Sequence, residues 1–237
     1  MVLANKIVIV TGGSSGIGEA IAIKLNELGA KVIIFDIQKS KQDLEFYKVD
    51  VTNDEDIKCA IKQIPQIDIL VNNAGVYFEK YLEDTTDKDL DFIVDINIKG
   101  TFKVTRNAIH KIKQNKGCII NIASCLGIVP EPTSPLYCAT KAGIIMLTKS
   151  LAQQYADAGV RVNCVCPGAT LTPLLEKSFT SETDKKNCAK RIPLGRIGTP
   201  QDVANVVAFL ASEEASYITG SVYAVDGGIS SSSIYSK

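Results

Sequence analysis

Short apolar runs alternate along the chain with longer segments of helical periodicity, and this alternation restricts the possible folds more than any other feature. The runs are rich in Val and Ile and end at turn residues; they are KIVIV, KVIIF, DILV, GCIINIAS, VRVNCVC and SVYAV. Such runs are typical of strands that are buried on both faces of a parallel sheet. The sequence therefore predicts an α/β fold, a single doubly wound parallel sheet with helices on both faces.

The first unit of this pattern is the clearest example of strand, helix and strand. Between the first two runs, apolar residues recur every three or four positions, at Ile17, Ile21, Leu25 and Leu28. Gly29 follows them as a helix stop. Similar units continue to residue 226 without a linker or a repeat, so we expect one domain over residues 1–237.

Two segments depart from the regular pattern. Only 13 residues separate Asp36 from Asp50, and they must supply both a connection and the next short strand. The second crossover should therefore be a loop or a single helical turn. Residues 172–199 form a long polar excursion after a strand end, where α/β folds commonly carry a substrate lid.

Composition excludes several classes of partner. The 26 basic and 26 acidic side chains are scattered along the chain, so neither nucleic acid nor an anionic membrane is an expected partner. No apolar run approaches the roughly 18 residues of a membrane span, and the first residues lack the pattern of a secretory signal. These features predict a cytoplasmic protein.

The cysteine pattern argues against a disulfide framework. The chain has 7 cysteines, an odd number in a sequence without an export signal. Cys164 and Cys166 are spaced so that both would face the same way on a strand, which suits buried thiols better than a zinc knuckle. No metal site is predicted.

The segment VTGGSSGIG, residues 10–18, directly follows the first strand and opens the first helix. Its glycines at positions 12, 16 and 18 permit a tight turn, and they bring backbone N–H groups and the positive helix end close to a phosphate. A glycine loop in this context predicts a dinucleotide site on a Rossmann-type sheet.

Asp36 closes the second strand 18 residues after Gly18, near the spacing of about 20 at which an acidic group binds the adenosine ribose. A carboxylate at this position repels a 2′-phosphate. The glycine loop contains no Arg or Lys, and the only nearby cations are Lys39 and Lys41. NAD is therefore expected rather than NADP.

Further motifs follow in a fixed order. NNAG stands at 72–75, Asn97 lies in a helical segment, Ser124 ends a strand, and PG stands at 167–168. Tyr137 and Lys141 come 13 and 17 positions after the serine. Together with the glycine loop, this series resembles the classical short-chain dehydrogenase/reductase family over residues 6 to about 228. The resemblance implies an NAD(P)-dependent oxidoreductase whose catalytic residues are Asn97, Ser124, Tyr137 and Lys141.

The chemistry of these positions agrees with the resemblance. Tyr137 and Lys141 lie one helical turn apart, on a helix that Ser134 can cap and Pro135 can begin. An ammonium beside the phenol should lower the pKa of Tyr137. Ser124 should polarise the substrate carbonyl at the carboxyl end of its strand, while Tyr137 exchanges the proton. In the family, Asn97 holds a water that connects Lys141 to solvent.

The resemblance also assigns cofactor contacts by position, in the glycine loop, at the adenine, beside the adenosine ribose and at the nicotinamide. In that order they are Gly12, Ser14, Ser15, Gly16, Ile17 and Gly18; Asp50 and Val51; Asp36, Asn73, Ala74 and Gly75; and Tyr137, Lys141, Pro167, Gly168, Thr170 and Thr172. The family usually has Ile or Val where Thr170 stands. Candidate substrate contacts are Cys125, Leu126 and Glu131, and Glu131 could bind a sugar hydroxyl.

Two residues of intrinsically reactive type are not expected to act. Cys138 points about 100° around the helix from Tyr137, and no histidine near it in sequence can serve as its base. The single histidine, His110, follows the residues RNAI on a helix whose sequence pattern indicates partial exposure. We therefore interpret Cys138 as a packed thiol and His110 as a surface residue.

Two substrate classes compete. The stretches VCPG, RIGTPQDVANVVAFLAS and ITGSVYAVDGG resemble both sugar dehydrogenases and 3-oxoacyl-thioester reductases. The latter mostly use NADPH, which Asp36 disfavours, so an aldose is the favoured substrate and a 3-oxoacyl-(acyl carrier protein) is the alternative. A Rossmann-type methyltransferase would not require the Ser, Tyr and Lys series, and a nucleotide-sensing protein of this fold would typically lose the Tyr or the Lys. The resemblance also implies a homotetramer.

Overall fold

Parallel strands form one continuous sheet in the computed structural model, which describes residues 2–231. Met1 and residues 232–237, the two ends of the predicted domain, lie outside the described residues. The strands are β1 (Ile7–Thr11), β2 (Lys31–Asp36), β3 (Glu45–Lys48), β4 (Ile69–Asn72), β5 (Cys118–Ile122), β6 (Arg161–Pro167) and β7 (Val222–Val225). Their order is β3-β2-β1-β4-β5-β6-β7, and every neighbouring pair is parallel.

Helices cover both faces of this sheet. They are α1 (Gly16–Glu27), α2 (Asp54–Gln63), α3 (Asp87–Val94), α4 (Thr101–Gln114), α5 (Pro135–Tyr155), α6 (Pro173–Glu176), α7 (Glu182–Lys190) and α8 (Pro200–Ala211). A π-helical segment, Asp95–Gly100, joins α3 to α4. No helix within residues 2–231 has both the length and the apolar character that a bilayer crossing requires.

Alternate side chains of each strand enter separate cores on the two faces. Val8 and Val10 of β1 pack with α1 and α8, whereas Ile9 between them packs with α2, α4 and α5. Both cores are built mainly from fully buried Ile, Val and Leu side chains. Burial on both faces explains why the strand sequences are continuous apolar runs, and it confirms the doubly wound α/β prediction.

The second crossover contains no helix, as the short spacing predicts. Residues 37–44 connect β2 directly to β3, which pairs in parallel from Ile33 opposite Glu45 to Asp36 opposite Lys48. Tyr47 anchors β3 to the sheet, with its ring edge-on to Phe35 at a centroid distance of 6.0 Å. Ile37 is 59% exposed, so the carboxyl end of β2 opens to solvent.

Cysteines are free thiols at all seven positions. Cys164 and Cys166 are buried on the same face of β6, and their sulfur atoms lie 3.9 Å apart. Both thiols therefore occupy the packed side of the strand, which agrees with the spacing argument.

The carboxyl ends of the strands meet at one edge of the sheet because every pairing is parallel. At this edge β1 leads into the glycine loop, β4 into residues 73–81, β5 into Ser124 and β6 into residues 168–172. The strand order reverses between β1 and β4, where open α/β sheets bind their ligands. Every segment that carries a predicted site residue thus ends at this edge or lies beside it.

Candidate active site

The glycine loop has the geometry of a phosphate-binding turn. Gly12 and Gly16 have φ values of +62° and +58°, which residues with a Cβ rarely adopt. A Cβ at Gly18 would lie 2.1 Å from the carbonyl oxygen of Gly12. Ser15 precedes α1, but its side chain makes no capping hydrogen bond, so among residues 2–231 no side chain occupies the amides of the first turn. This donor set fits the diphosphate of a dinucleotide.

Asp36 lies at the opening of the glycine loop. Its carboxylate accepts hydrogen bonds from the backbone N–H groups of Ser14 and Gln38, each at 3.0 Å and each on a different oxygen. The Ser14 hydroxyl donates to the Gln38 carbonyl at 2.6 Å. Each carboxylate oxygen keeps a lone pair for a further donor, which fits the vicinal hydroxyls of a ribose.

Asn73 connects the two strands at which the sheet order reverses. Its side-chain amide donates to the carbonyl oxygens of Thr11 and Gly12, at 3.1 and 2.9 Å. The Thr11 hydroxyl in turn accepts from the backbone N–H groups of Asn73 and Ala74, both at 3.0 Å. The Asn73 side chain therefore supports the cofactor site by holding the glycine loop in place.

The predicted adenine contacts follow β3 and lie beside Asp36. Val49 donates its backbone N–H to the Asp36 carbonyl, which places the next two residues at the same edge of the sheet. Asp50 is exposed, and its carboxylate accepts from the backbone and hydroxyl of Thr52. Val51 is buried against Gly100, where a Cβ would lie 2.8 Å from Val51 Cγ2.

The structure brings Ser124, Tyr137 and Lys141 together. Ser124 lies two residues after the end of β5, and its side-chain oxygen accepts from the backbone N–H of Leu126 at 3.1 Å. Lys141 Nζ donates to the carbonyl oxygen of Ile122 at 3.1 Å and lies 5.7 Å from the centroid of the Tyr137 ring. The lysine thus spans from α5 to the end of β5, beneath the tyrosine.

Asn97 is buried, although a mid-helix asparagine is more often a surface residue. It lies in the π-helical segment, a distortion that often accompanies functional sites. Its side chain accepts from the Val76 N–H at 2.8 Å and donates to the Val76 carbonyl at 3.0 Å and to Thr140 Oγ1 at 3.2 Å. A Cβ on Gly75 would lie 3.2 Å from Asn97 Oδ1 and 3.3 Å from Lys141 Nζ, so these residues converge.

The pKa values of the central pair correct the sequence-based expectation. Burial raises the pKa of Tyr137 to about 12, and the Ser124 side chain only partly opposes that rise. Burial also lowers the pKa of Lys141 to about 8. The prediction that Lys141 lowers the pKa of Tyr137 is therefore wrong for this structure, because burial disfavours the charged form of both groups.

The segment after β6 closes onto the glycine loop. Pro167 ends β6, and Gly168 donates its N–H to the Val225 carbonyl. Thr170 is buried, with its hydroxyl on the Gly168 carbonyl. Thr172 caps α6, and its methyl group would lie 3.3 Å from a Cβ on Gly16. The predicted nicotinamide contacts therefore reach the phosphate-binding turn.

The segment before α5 differs from the prediction at one residue. Ser134 precedes the helix as expected, but its side chain makes no capping hydrogen bond. Cys138 is half-buried with its sulfur 3.9 Å from the Glu131 carbonyl oxygen, and His110 is exposed on α4. Cys125 is buried and Leu126 half-buried directly after Ser124.

Tyr77 is a site residue that sequence reasoning missed. Its ring packs edge-on against the ring of Tyr137, with a centroid distance of 4.8 Å and an interplanar angle of 80°. Its position in the sequence could have indicated this. Tyr77 stands two residues after NNAG, in the segment that starts at the same edge of the sheet as Ser124.

Comparisons with known proteins agree over nearly the whole chain. A family model described as enoyl-(acyl carrier protein) reductase matches residues 12–230. The 3-oxoacyl-(acyl-carrier-protein) reductase FabG of Thermotoga maritima is 39% identical over 246 residues, covering 97% of this chain and 99% of that protein. The same-named protein of Rickettsia felis is 41% identical over 237 residues, covering 96% and 98%. The ligand-free structure of Thermoplasma acidophilum aldohexose dehydrogenase superposes with a TM-score of 0.95 at 36% identity, covering 99% of this chain and 98% of that chain.

Lys141→Met is expected to abolish activity while stabilising the fold at neutral pH. The unfolded chain restores the ordinary pKa of 10.5, so it binds more protons than the folded chain between the folded pKa of about 8 and 10.5. Protonation of Lys141 therefore destabilises the fold most below pH 8, by up to about 3 kcal/mol, and the penalty shrinks as pH rises. Methionine removes this penalty.

Urea unfolding of both proteins at about pH 7 and about pH 9.5 measures this difference. The gain from Lys141→Met should be larger at the lower pH. Lys149→Met, at an exposed position on the same helix, is the matched control and should show no such dependence. An equal gain at both pH values would contradict the burial argument.

Proposed function

The chain belongs to the classical short-chain dehydrogenase/reductase family, and from this we propose that it is an NAD(H)-dependent enzyme that interconverts a secondary alcohol, or the hydroxyl of a cyclic hemiacetal, and the carbonyl. Family membership supports the general reaction, in which an oxidoreductase acts on CH–OH groups with a nicotinamide cofactor. The observation that carries the proposal is the convergence of Ser124, Tyr137 and Lys141 beside a glycine loop of phosphate-binding geometry.

In the proposed reaction these side chains orient the substrate and move one proton. The nicotinamide, when bound, accepts or supplies the hydride. The Ser124 hydroxyl, at the carboxyl end of the central sheet, is placed to polarise the carbonyl oxygen. With a pKa of about 12, Tyr137 is protonated at neutral pH and can donate its proton in the direction of reduction. Lys141 supports the phenolate that forms, because it is still largely charged below its pKa of about 8.

The proposed substrate class is an aldose. Two observations support it: the likeness to an aldohexose dehydrogenase along the whole chain, and the Glu131 charge, which acts on the hydroxyl of Tyr77, whose ring contacts Tyr137. A 3-oxoacyl thioester is the second candidate, because the curated relatives at 39% and 41% identity bear the name of reductases for that class. The two substrates differ in polarity next to the reacting carbon, so direct assay separates them.

NAD is the proposed cofactor because of the charge at Asp36. Its carboxylate lies at the opening of the glycine loop and is held there by the backbone of Ser14 and Gln38. A 2′-phosphate would approach this negative charge, and within residues 2–231 no salt bridge pairs Asp36 with Lys39 or Lys41. Repulsion therefore favours the cofactor without the phosphate.

A homotetramer is the proposed assembly. Exposed apolar side chains lie on α3, α4 and α5, the helices next to Asn97 and Tyr137, and include Phe102 at 49% and Met146 at 63% exposure. Phe209 and the fully exposed Tyr217 lie near β7, the expected place of a second interface. Exposed apolar residues of this size support burial against further copies of the chain.

The lid, the single domain over residues 1–237 and the cytoplasmic location stay predictions. Segment 172–199 contains α6 and α7, and α7 has no buried residue. Few buried contacts favour local movement, which supports a lid in this segment.

A substrate screen with NAD and NADP in parallel tests the proposed reaction. Absorbance at 340 nm should rise with NAD and aldoses, and Tyr137→Phe should lower kcat by about 10²-fold or more because the group that accepts the hydroxyl proton in oxidation is lost. Binding of NAD should persist in the variant, since Phe keeps the ring. Full activity of Tyr137→Phe would contradict the proton-transfer role, and turnover confined to 3-oxoacyl thioesters would favour the second candidate.

Asp36→Asn tests the cofactor proposal. The wild-type enzyme should have the higher kcat/KM with NAD, and removing the charge should shift the NAD to NADP ratio towards NADP by about tenfold or more, equivalent to about 1.4 kcal/mol. Asp43→Asn, which changes the same charge on the exposed loop before β3, is the matched control. An unchanged ratio in Asp36→Asn would show that another group selects the cofactor.

Phe102→Glu tests the assembly. A charge at Phe102, an exposed side chain on α4, should prevent the contact between copies through α4 and α5 and leave a dimer joined through the β7 side. Light scattering after size-exclusion chromatography measures the mass of each variant. Val2→Glu changes an apolar residue that is 57% exposed and lies outside α4 and α5, and this variant should remain a tetramer. A monomeric wild-type protein would refute the assembly.

A further inference from the structure

Polar side chains that the reaction itself does not use surround the ring next to the catalytic tyrosine. Tyr77, Glu79, Glu131 and Ser134 form this group, which we call the Tyr77 cluster. Tyr77 is half-buried in the segment that leaves β4, and its ring contacts the ring of Tyr137 at a centroid distance of 4.8 Å. The cluster thus lies directly beside the proposed proton donor.

The hydroxyl of Tyr77 has a fixed orientation. It donates its single proton to Glu79 Oε1 at 2.7 Å, so its oxygen faces the remaining cluster as an acceptor only. Burial of the phenol, followed by its contacts with Glu79, raises the pKa of Tyr77, so this proton stays in place at working pH. The oxygen can therefore accept a hydrogen bond from a ligand hydroxyl without changing its own protonation.

Ser134 supplies an unused hydroxyl at the same place. It occupies the position before α5 at which serine usually caps a helix, yet its hydroxyl makes no cap bond. This oxygen is buried and makes no hydrogen bond of normal geometry among the residues that the structure describes, although the Ser134 side chain lies close enough to the Tyr77 hydroxyl to act on it as a hydrogen-bonding group and lower its pKa. A buried hydroxyl without a partner is unfavourable, so a ligand that supplies the partner gains binding energy.

Glu131 adds negative charge to the cluster and is only loosely engaged. Its carboxylate accepts from the N–H and hydroxyl of Thr133 at 3.4 and 3.3 Å, both long contacts, and it raises the pKa of Tyr77. Its backbone carbonyl accepts from the Ser134 N–H at 3.1 Å, which holds the two residues side by side. Lys80, which directly follows Glu79 in sequence, is paired with Asp89 at 2.6 Å.

The cluster therefore offers two carboxylates and a phenol oxygen as acceptors and one serine hydroxyl as a donor or acceptor. Such a set suits neutral hydroxyl groups, disfavours an anionic group, and would leave polar atoms unpaired against an acyl methylene. Contact with the Tyr137 ring places this set close to the reacting carbon.

We propose that the Tyr77 cluster is a substrate subsite that binds the hydroxyl on the carbon next to the reacting carbon, and that it selects polyhydroxylated substrates over acyl chains. The inference rests on the proposed oxidoreductase function and names the residues that set its substrate class. Tyr77 and Ser134 are the binding residues, and Glu79 positions Tyr77.

Paired sugars test the subsite directly. D-glucose and D-mannose carry a hydroxyl next to the reacting carbon, whereas 2-deoxy-D-glucose lacks it. The wild-type enzyme should oxidise the better of the two hydroxylated sugars with a kcat/KM at least about tenfold above that of the deoxy sugar. Tyr77→Phe and Ser134→Ala should each reduce this ratio by about three- to tenfold, with most of the change in the hydroxylated sugar.

The ratio also separates a binding role from a structural one. A structural defect would lower kcat/KM for all three sugars equally and leave the ratio unchanged, and that result would overturn the subsite while keeping the aldose proposal. Tyr81→Phe, at an exposed tyrosine in the same segment, is the matched control and should leave every rate unchanged. A wild-type enzyme that oxidises no sugar would overturn the subsite together with the aldose proposal.

Discussion

Hydrogen bonds from Asn73 to the carbonyl oxygens of Thr11 and Gly12 join the two strands at which the sheet order reverses. The rest of the site depends on this link. It fixes the glycine loop after β1 relative to the segment that leaves β4, and that segment carries Gly75 and Tyr77. Asn97 then holds Val76 of the same segment, and through Thr140 it reaches α5. Cofactor loop, substrate side and catalytic helix are thereby held in one hydrogen-bonded unit.

Burial sets the electrostatics of this unit. Lys141 lies inside the protein with the Ile122 carbonyl as its hydrogen-bond acceptor, and burial lowers its pKa and raises that of Tyr137. A carbonyl dipole compensates the ammonium less than a carboxylate would, so the lysine is kept at a cost in stability. Such a cost is expected where position serves chemistry rather than folding, because nothing in the packing of α5 requires a charge at this position.

Sequence spacing predicted the features that depend on short-range order. The two-sided burial of the strands, the helix-free crossover after Asp36 and the position of that carboxylate at the glycine loop all follow from residue types at fixed intervals. Features that depend on contacts through space were not predictable. They include the burial of Asn97 by a π-helical segment, the raised pKa of Tyr137 and the hydroxyl of Ser134, which does not cap its helix. Each is set by neighbours that are distant in sequence.

Specificity in such a chain must come from few side chains, because relatives named for acyl thioesters and for aldohexoses share its whole length. In the function proposed above, Asp36 lies beside the glycine loop and acts by repulsion, since a second negative charge cannot approach it without a cation. In the subsite proposed above, the Tyr77 cluster lies beside Tyr137 and acts through polar atoms that an apolar chain would leave unsatisfied. Both devices work by penalising the wrong ligand, and neither requires a change in the sheet that holds the catalytic residues.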